Sequence, residues 1–502
     1  MPTKLRLLLL FFGITLLFSL GNSALPLIDR DEPRFAEASR EMMDSGNWIV
    51  PSFNNAPRYD KPPLIYWLQI ASYKTLGVNE FAARLPSALC TSLTAILLIL
   101  WGTRIADPVT GIRAGTIFFL SLQLFIHGRA SVADLPMVLC VTAAAWAGWE
   151  WVHSPRRHSL ALLFWSILAL GFLAKGPIAW IPIGMTAWLA WQRSKENALT
   201  PPPVAWITGA LAMLILVGLW GIPALVATKG AFAAKGLGEH VIGRSLIAME
   251  GHGAKSILGY ILSLPFYFAT VFASFFPWSI WIPAAFAFYK RSRTTQTAYL
   301  IYGVLLTFGI FTISRTKLPH YTLPAFPLLA LLLAIWWRDH KSPELFRKTV
   351  QITAAVFVFL PLFIFPRVAA LSATEAMVWR LASDLTTETA VALTEYQEPS
   401  LIWGVRKLTN QFPEIISETN VEPWLSRPGP RVCIVTAAAA EKLTGPWVRK
   451  DAKGWNLAKG RKIHLIALSA ASAPAANQSP APSAGQSSPS SNAGKETSPI
   501  SP

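Results

Sequence analysis

The sequence predicts a polytopic α-helical membrane protein that ends in a small α/β domain, and three observations lead to this. The chain has 502 residues, of which 53% are hydrophobic and only 14% charged, whereas soluble domains carry about 25% charged residues. Apolar stretches long enough to cross a hydrocarbon core of about 30 Å recur through the first three quarters of the chain. After about residue 375 the sequence changes to short β-prone runs.

We predict about 11 membrane-spanning helices, with about two more possible, and the longest stretch could form one tilted span or two short ones. The first stretch resembles a secretory signal peptide, but it lacks a small-residue cleavage site and many spans follow it. We therefore interpret it as a retained helix. The predicted spans lie near residues 6–21, 84–102, 112–127, 133–151, 159–174, 177–192, 205–226, 257–288, 297–313, 321–337 and 350–368.

The net charge of +17 does not indicate a nucleic-acid partner, because the basic residues fall in alternate loops, as the positive-inside rule requires. This pattern predicts a cytoplasmic amino terminus. The basic positions are Lys4, Arg6, Arg104, Arg113, Arg156, Arg157, Arg193, Lys195, Lys290, Arg291, Arg293 and the stretch 338–348. The opposite, outward side then receives the loops 23–83, 128–132, 227–256 and 314–320 and the segment after residue 370.

The outward loop 23–83 is predicted to contain two short helices that lie on the membrane surface. The first begins with Pro33 after Asp31 or Glu32 as a cap and ends at Gly46. The second follows the prolines of "KPPLIYWLQIASYKTLG" and ends at Gly77. Each helix carries an apolar stripe, formed by Phe35, Ala38 and Met42 in the first and by Leu64, Trp67, Leu68 and Ala71 in the second.

Downstream of the spans, we predict a small domain over residues 371–469. Its β-prone runs are "TAVALTEYQ", "SLIWGVR", "RVCIVTAAA" and "KIHLIALS", separated by helix-like or turn-rich segments such as "KLTNQFPEIIS". Residues 470–502 are almost all Ala, Ser, Pro, Asn, Gln and Gly, a composition that predicts a disordered tail. The three cysteines, Cys90, Cys140 and Cys433, have neither a disulfide framework nor zinc-ligand spacing.

Charged clusters stand at the outward ends of the predicted spans. A charge at the centre of a membrane helix costs about 2.5–3.5 kcal/mol on insertion scales, so charges kept at span ends usually pair with each other or with a ligand. Aromatic residues at the membrane interface and lysines that snorkel toward it should occur on both faces of the membrane. These carboxylates are instead predicted to lie on one face only. The clusters are "DRDEPR", "RYDKPP", "HGRASVADLP", "LAKGP", "SRTKLPHYTLP" and the looser "GEHVIGRSLIAMEGH".

Each candidate also has a purely structural explanation. Asp31 could simply cap a helix, Asp134 could form a structural ion pair with Arg129, and Lys175 could be a lysine that snorkels to the interface. The remaining candidates could be packed histidines or members of an aromatic belt. These are His127, His240, His252, His320, Tyr59, Tyr66, Trp67 and Tyr321.

The motifs together carry a family resemblance. "DRDEPRFAEASREMM", "RYDKPPLIYWL", "RLPSAL", "GRASVADLP", "LAKGP" and "KLPHYTLPAFP", in this order, resemble the GT-C type glycosyltransferases that use lipid-linked sugars. The resemblance is greatest to the bacterial aminoarabinose transferase (ArnT) and protein O-mannosyltransferase-like superfamily. It covers about residues 1–370, which would form a GT-C transmembrane catalytic domain. The following α/β domain matches the aminoarabinose branch in position only.

The resemblance implies a cavity open to the periplasm of a bacterial inner membrane protein, in which a sugar moves from a polyprenyl phosphate to an acceptor, with inversion. The essential aspartates fall on Asp31 and Asp134, with Arg34 beside the first. Lys61, Lys317 and Tyr321 resemble positions that hold the lipid phosphate. Asp60 stands where the family often has Glu. The other residues predicted to line the cavity are Arg58, Tyr59, Arg129, Lys175, His240 and His252.

The chemistry agrees with these roles. A polyprenyl-phosphate leaving group gains negative charge as the glycosidic bond breaks, and fixed cations in a poorly hydrated cavity stabilise that charge. Lys61, Lys317 and Arg244 could supply them, while a carboxylate such as Asp31 could orient or deprotonate the acceptor. No cofactor is required, although Asp60 with His240 or His252 could hold a divalent ion. No ligand spacing demands one.

The donor sugar and the acceptor are not readable from the motifs, so a lipid A-like phosphate, another glycan or a protein hydroxyl remain open. The alternative function is a transporter or flippase for an anionic lipid or solute. Transporters place ionisable residues near the bilayer midplane on broken helices and show two related halves. Here the charges stand at span ends and the halves do not match, so the sequence favours a transferase.

Overall fold

The computed structural model describes residues 3–28, 31–243 and 256–470. It confirms a multi-pass helical membrane protein with a small C-terminal sheet region. The α-helices of the described residues are α1 Lys4–Ser19, α2 Asp31–Ser45, α3 Leu64–Leu76, α4 Glu80–Ile105, α5 Pro108–Phe119, α6 Leu122–His127, α7 Asp134–His153, α8 His158–Lys175, α9 Ile181–Lys195, α10 Pro203–Ala227, α11 Ala231–Ala233, α12 Ile257–Ser263, α13 Phe266–Ser274, α14 Ile282–Arg291, α15 Thr295–Ile313, α16 Phe326–His340, α17 Pro343–Phe359, α18 Phe365–Ala370, α19 Ala373–Leu381, α20 Pro399–Thr409, α21 Val421–Leu425 and α22 Ala437–Ala440.

Within the described ranges, seven helices are long and apolar enough to cross a membrane, and the bent pair α12 and α13 would make eight. The other predicted spans fall on shorter helices, because turns interrupt them: α1 has 16 residues and α5 has 12. The seven are Glu80–Ile105, Asp134–His153, His158–Lys175, Pro203–Ala227, Thr295–Ile313, Pro319–His340 and Pro343–Ala370.

The helical core is built around α4, α5, α7 and α16, whose large side chains are almost fully covered. Trp101 of α4, Trp151 of α7 and Trp337 of α16 are among the largest side chains that are completely buried. The helices α4 and α5 approach closely because Gly102 lies opposite Gly111; a Cβ on Gly102 would stand 2.8 Å from the Gly111 Cα. In contrast, α10 has only three buried residues, as expected for a helix that faces lipid.

The two helices predicted in the outward loop both form, as α2 and α3, and both end at the predicted glycines. Gly46 and Gly77 adopt φ values of 69° and 76°, which glycine reaches without steric cost. The stripe of α2 is buried, but its opposite face is also covered, because α20 packs against it. In α3 the predicted stripe stays partly exposed, while Ile65 and its neighbours on the other face are buried.

The strands are β1 Ser52–Phe53 and β2 Ala56–Pro57, which form a hairpin, and β3 Ala390–Leu393, β4 Glu414–Ile415, β5 Arg431–Thr436, β6 Trp447–Asn456 and β7 Arg461–Ala470. The last five form one sheet in the order β4-β3-β5-β7-β6. The strand β3 pairs in parallel with β4 and β5, whereas β7 runs antiparallel between β5 and β6.

One predicted strand of the C-terminal sheet is wrong, and two of its strands, β4 and β6, were missed. "SLIWGVR" belongs to α20, which begins at Pro399 and buries Leu401, Ile402 and Val405 at helical spacing. The apolar run is too short for its helical spacing to be distinguished from that of a buried strand. The strand β6 went unpredicted because its sequence, WVRKDAKGWN, is mostly polar and lies at one end of the sheet. The strand β4 went unpredicted because it has only two residues, within a segment predicted to be helix-like or turn-rich. The predicted disordered tail lies outside the described residues, apart from Ala470.

Candidate active site

Most of the predicted site residues line one cavity of about 1170 Å³ at one end of the helical bundle. It brings together the outward loop, the start of α7, the end of α8 and the segment before α16, which are far apart in sequence. Its polar lining consists of Asp31, Arg34, Arg58, Asp60, Lys61, Asp134, Lys175, Ser314, His320 and Tyr321. Eight of these ten were predicted; the exceptions are Ser314 and His320.

The rest of the cavity wall is apolar. It is formed by the ends of α8, α10 and α15 and by the turn after α8, and its residues include Phe172, Ile178, Trp180, Leu214, Val217, Trp220, Ile222, Leu306, Ile310 and Phe311. Gly218 and Gly221 of α10 also lie on this wall, and a Cβ on Gly221 would meet no atom within 4 Å. The cavity is therefore amphipathic, with a charged region and a long apolar side.

Asp31 stands at the first position of α2, and the residue after it fixes this helix end. Glu32 forms a bidentate ion pair with Arg84 of α4, with both N–O distances 2.8 Å. The Glu32 carboxylate also accepts hydrogen bonds from the backbone N–H groups of Ile28 and Ser131. Since both partners of the pair are buried, the carboxylate-bearing end of α2 is held rigidly. The "RLPSAL" motif contains Arg84, but the sequence alone did not show its partner.

We expect Arg84→Ala to lower the stability of the protein sharply, because breaking a buried ion pair costs about 3–5 kcal/mol. Thermal unfolding in detergent would measure this. Arg104→Ala is the matched control, because the Arg104 side chain is 60% exposed in its pair with Glu150 and exposed pairs contribute at most about 1 kcal/mol. Equal losses of stability in the two variants would contradict the structural role of Glu32 and Arg84.

The "RYDKPP" motif, residues 58–63, forms one wall of the charged region of the cavity. The Nε of Arg58 lies 3.1 Å from the Asp60 carboxylate, and its guanidinium stacks over the Phe35 ring at 4.6 Å. Tyr66 lies beneath, where burial raises its pKa to about 12, and the charges of Arg58, Asp60 and Asp31 all reach it. These three charged side chains are thus near neighbours around one buried tyrosine.

Asp134 begins α7 and is buried against the ammonium of Lys175 at the end of α8, which donates a short hydrogen bond to its carboxylate. The structural alternative considered above, an ion pair with Arg129, is wrong. Two histidines flank the Asp134 pair: the rings of His127 and His320 lie 4.7 Å apart. Lys175 also faces the ring of Tyr321 at 6.0 Å, which places a cation beside the predicted phosphate-binding tyrosine.

Three predicted cavity residues take other positions. The Arg129 guanidinium donates to the Leu17 and Phe357 carbonyls at 2.8 and 3.2 Å, so it joins helices instead of lining the cavity.

Lys317 is buried and donates to the carbonyls of Phe311 and Thr312, at the end of α15. Burial lowers the pKa of Lys317. Tyr59 packs its ring against Phe232 at 5.7 Å, behind the cavity wall. Local sequence gave no sign of these partners, which come from distant helices or from the backbone.

Two further predicted residues, Arg244 and His252, lie outside the described residues, as does the side chain of His240. The predicted metal position near Asp60 therefore has no described histidine to complete it. Among the described residues, the ligand atoms of His127, Asp134 and His320 lie within 4.8 Å of one another. Because the Lys175 ammonium already contacts that carboxylate, this group is better described as an ion pair between two imidazoles.

The other face of α2 is clamped by the C-terminal region. Arg406 of α20 forms a short ion pair with Glu37 and lies 3.8 and 3.4 Å from the carboxylates of Glu41 and Asp44. Burial raises the pKa of Glu37 to about 7, although Arg406 and Arg40 oppose it. Because this exceeds the ordinary value of 4.5, ionisation of Glu37 reduces the stability of the folded state as the pH rises from 4.5 to about 7.

The fold and the cavity define a class: multi-pass membrane proteins in which the helix ends at one side of the bundle enclose an amphipathic cavity. The structure is similar to the crystal structure of ArnT from Cupriavidus metallidurans bound to undecaprenyl phosphate, with a TM-score of 0.72 and 16% identity. The match covers 93% of this chain and 98% of that one. It establishes a shared fold.

Residues 60–220 match the family described as dolichyl-phosphate-mannose-protein mannosyltransferase. The chain is 30% identical over 335 residues to the undecaprenyl phosphate-alpha-4-amino-4-deoxy-L-arabinose arabinosyl transferase of Enterobacter sp. (strain 638), covering 65% of this chain and 58% of that protein. The undecaprenyl phosphate-alpha-4-amino-4-deoxy-L-arabinose arabinosyl transferase 2 of Sodalis glossinidius (strain morsitans) is 32% identical over 333 residues, covering 64% of this chain and 58% of that protein.

The chain thus spans less than two thirds of the length of these relatives. The comparisons confirm the resemblance to the GT-C type, ArnT-like superfamily.

Proposed function

We propose that this protein is a glycosyltransferase that moves a sugar from a polyprenyl-phosphate donor to an acceptor. The observation that carries this proposal is the amphipathic cavity, in which a cluster of cations and carboxylates adjoins a long apolar wall. A lipid whose head group is a sugar phosphate has this same division between a charged head and an apolar tail. The names of the relatives, which include undecaprenyl phosphate and dolichyl phosphate, support the same donor class.

Lys61, Lys175 and Tyr321 are positioned to bind the donor phosphate. Lys61, Lys175 and His320 all line the cavity, and the positive charges of the two lysines both interact with the His320 imidazole, so the two ammonium groups act on the same part of the cavity. Fixed cations beside a low-dielectric wall stabilise the phosphate more strongly as it becomes a leaving group than they do in the donor, which lowers the barrier. Lys317, which the sequence suggested, is engaged with backbone carbonyls and is replaced in this role by Lys175.

Asp31 and Arg34 act on the acceptor. Both line the cavity, and no hydrogen bond or ion pair ties the Asp31 side chain to another described residue. A carboxylate in this position can accept a proton from a hydroxyl acceptor, or orient one that is already ionised. Asp134 keeps Lys175 in place, because its carboxylate contacts the Lys175 ammonium. Direct attack by the acceptor on the donor would invert the sugar's anomeric configuration.

We further propose that the cavity opens to the periplasm of a bacterial inner membrane. The basic loops collect at the other end of the bundle, where Arg104 pairs with Glu150 and Arg338 with Asp107, and basic loops mark the cytoplasmic side. Labelling with an impermeant thiol reagent tests this. A cysteine at the exposed Thr75 should react from outside, and one at the exposed Ser159 should not.

The direct test of the function is mass spectrometry of envelope lipids and glycans from cells with and without the gene. The mass that is lost on deletion identifies the transferred sugar, and so separates a pentosyl donor, as in the relatives' names, from a hexosyl donor, as in the family's description. An unchanged envelope, together with failure of the purified protein to bind a polyprenyl phosphate, would contradict the proposal.

Gly221→Leu should weaken donor binding and leave folding intact. The new side chain would enter the open apolar side of the cavity, where its Cβ meets no protein atom within 4 Å, and would occupy space that the lipid chain needs. The measurement is the KM for donor, together with thermal stability. Gly13→Leu is the matched control, since this position on α1 is also open but does not line the cavity. Similar KM values in both variants would exclude this wall as the lipid site.

A further inference from the structure

One face of α2 carries a cluster of charged side chains that contacts the C-terminal region. Glu37, Glu41 and Asp44 belong to it, at spacings of four and three residues that place them on one stripe of the helix. Their common partner is Arg406 of α20, which is buried together with Glu37 and Glu41. The same stripe continues to Arg34, which lines the main cavity. The C-terminal region therefore contacts the side of α2 that carries a residue proposed to act on the acceptor.

Two contacts on different sides fix the rotation of α2 about its own axis. Successive residues of an α-helix are about 100° apart, so Glu37 lies about 140° around the axis from Glu32. Glu32 ties one side of α2 to α4 through Arg84, and Glu37 ties another side to α20. A helix held on one side can still turn about that contact, whereas a helix held on two sides cannot. Asp31, at the start of α2, is thereby held in orientation as well as in position.

Glu37 is the member of the cluster that is least able to remain ionised. One of its oxygens accepts a short hydrogen bond from Arg406, while its Oε2 has no hydrogen-bond partner among the described residues. The Glu41 carboxylate, in contrast, accepts hydrogen bonds from the Ser52 hydroxyl and the Asn54 backbone N–H, both at 2.6 Å. Burial without a full set of donors disfavours the charged form of a carboxylate, and the pKa of Glu37 is accordingly raised to about 7.

The other titratable and charged groups that face Glu37 are Arg40, Glu41 and Asp44 of α2, Arg406 of α20 and Tyr73 of α3. Burial raises the pKa of the Tyr73 phenol well above its usual value, and guanidinium groups stay protonated. Burial also raises the pKa of Glu41, but hydrogen bonds oppose that effect. The strand β1, which packs on α2 too, carries no titratable side chain. Glu37 is therefore the group whose titration changes the charge of this interface near pH 7.

We infer that Glu37 and Arg406 are positioning residues for sugar transfer, which act on the reacting groups through α2. This assignment rests on the proposed function, in which Asp31 and Arg34 act on the acceptor. Ionised Glu37 is more stable when water reaches its carboxylate, so loss of the proton favours separation of α20 from α2. Separation leaves α2 held on one side, and a displacement of about 1 Å at a reacting group lowers a rate by about 10²-fold. Transfer is therefore expected to be fastest while Glu37 is protonated.

The first test compares Glu37→Gln with the wild-type protein, because glutamine resembles protonated glutamate in shape and does not ionise. The rate of transfer per molecule of protein is measured in isolated membranes, which contain the natural donor and acceptor, as formation of the product that mass spectrometry identifies. We expect the ratio of the variant rate to the wild-type rate to increase as the pH rises from 4.5 to about 7. The increase should be up to about 10²-fold, with no further change at higher pH. The ratio removes the titration of Asp31, which both proteins share.

The second test removes Arg406. Arg406→Ala should lower the rate of transfer about 10²-fold, because α2 then loses one of the two contacts that fix its orientation. Lys407→Ala is the matched control: Lys407 is the next residue of α20 and is ion-paired at 2.8 Å, but its partner is Glu80 of α4. This control should keep the wild-type rate. Binding of undecaprenyl phosphate to the purified proteins should be the same in both variants and the wild type, since neither residue lines the main cavity.

Two results would overturn the inference: a rate ratio for Glu37→Gln that does not change with pH, or equal rates in Arg406→Ala and Lys407→Ala. Thermal unfolding identifies a purely structural role, in which Glu37→Gln and the wild-type protein differ in stability over this pH range while their rate ratio stays constant. If Arg406→Ala does not fold, the rate ratio for Glu37→Gln decides. Failure of the wild-type protein to bind undecaprenyl phosphate would instead contradict the proposed function, and the difference in unfolding between the wild type and Glu37→Gln would remain.

Discussion

Asp31→Asn is expected to abolish most sugar transfer while the protein still folds and binds donor lipid. The substitution keeps the size of the side chain and removes only its charge, and the start of α2 stays fixed because Glu32 and Arg84 hold it. A carboxylate that removes a proton in the transition state contributes about 10²–10⁴-fold to the rate. Turnover measured with purified protein, together with donor binding, gives the result.

The pH profile separates two roles of Asp31. If the acceptor is a hydroxyl, the wild-type rate should fall on acidification, because the carboxylate must be ionised to accept a proton. The residual rate of the Asn variant should lack this fall. If the acceptor is a phosphate, Asp31 orients it and stabilises positive charge on the sugar. The pH profile is therefore interpreted together with the chemical identity of the acceptor. If Asp31→Asn kept nearly wild-type turnover, Asp31 would have no catalytic role and would serve only as a helix cap.

The sequence predicted the membrane architecture because hydrophobicity and charge are local properties. The span at Asp134–His153, for example, is visible as an apolar run that starts with a charged residue. The helices of the outward loop were predictable for the same reason, since Pro33 and the terminal Gly46 and Gly77 restrict the backbone locally. Most of the charged cavity lining could be predicted because those residues stand together in short motifs at the ends of spans.

What the sequence could not supply was the pairing between distant segments. Nothing near Lys175 in the chain indicates Asp134, and nothing near Glu37 indicates Arg406, because these partners meet only when the helices pack. The aromatic and histidine positions were ambiguous for the same reason: His320 lines the cavity, whereas Tyr59 packs behind it. Lys317 is the clearest example. Its motif suggested a ligand for the phosphate, but its ammonium donates hydrogen bonds to the backbone carbonyls of Phe311 and Thr312.

Prediction of helix α20 from its sequence failed because local patterns are ambiguous when the apolar run is short. "SLIWGVR" satisfies both a strand and a buried helix, and only the preceding Pro399 with the later Asn410 in a left-handed conformation favours the helix. That error matters for function, since α20 supplies Arg406, which pairs with Glu37 of α2. The C-terminal region thus positions α2.

Lys61→Ala should lower the rate of sugar transfer about 10²–10³-fold, the effect of removing one donor that stabilises transition-state charge. Lys61 lines the charged region of the main cavity, and its ammonium would bind the donor phosphate as the glycosidic bond breaks. Because the interaction strengthens as charge develops, kcat should fall more than donor affinity. Lys61→Arg, which keeps the charge with a different shape, should recover part of the rate.

The control for Lys61 is Lys290→Ala, which removes an exposed lysine at the end of α14, away from the cavity lining. This variant should keep wild-type kcat and KM. If the two alanine variants behaved alike, Lys61 would not bind the leaving phosphate, and Lys175 would remain the candidate cation. A Lys175→Ala variant that lost transfer while Lys61→Ala kept it would then assign the phosphate to the Asp134–Lys175 side of the cavity. Loss in both variants would mean that the two ammonium groups bind the phosphate together.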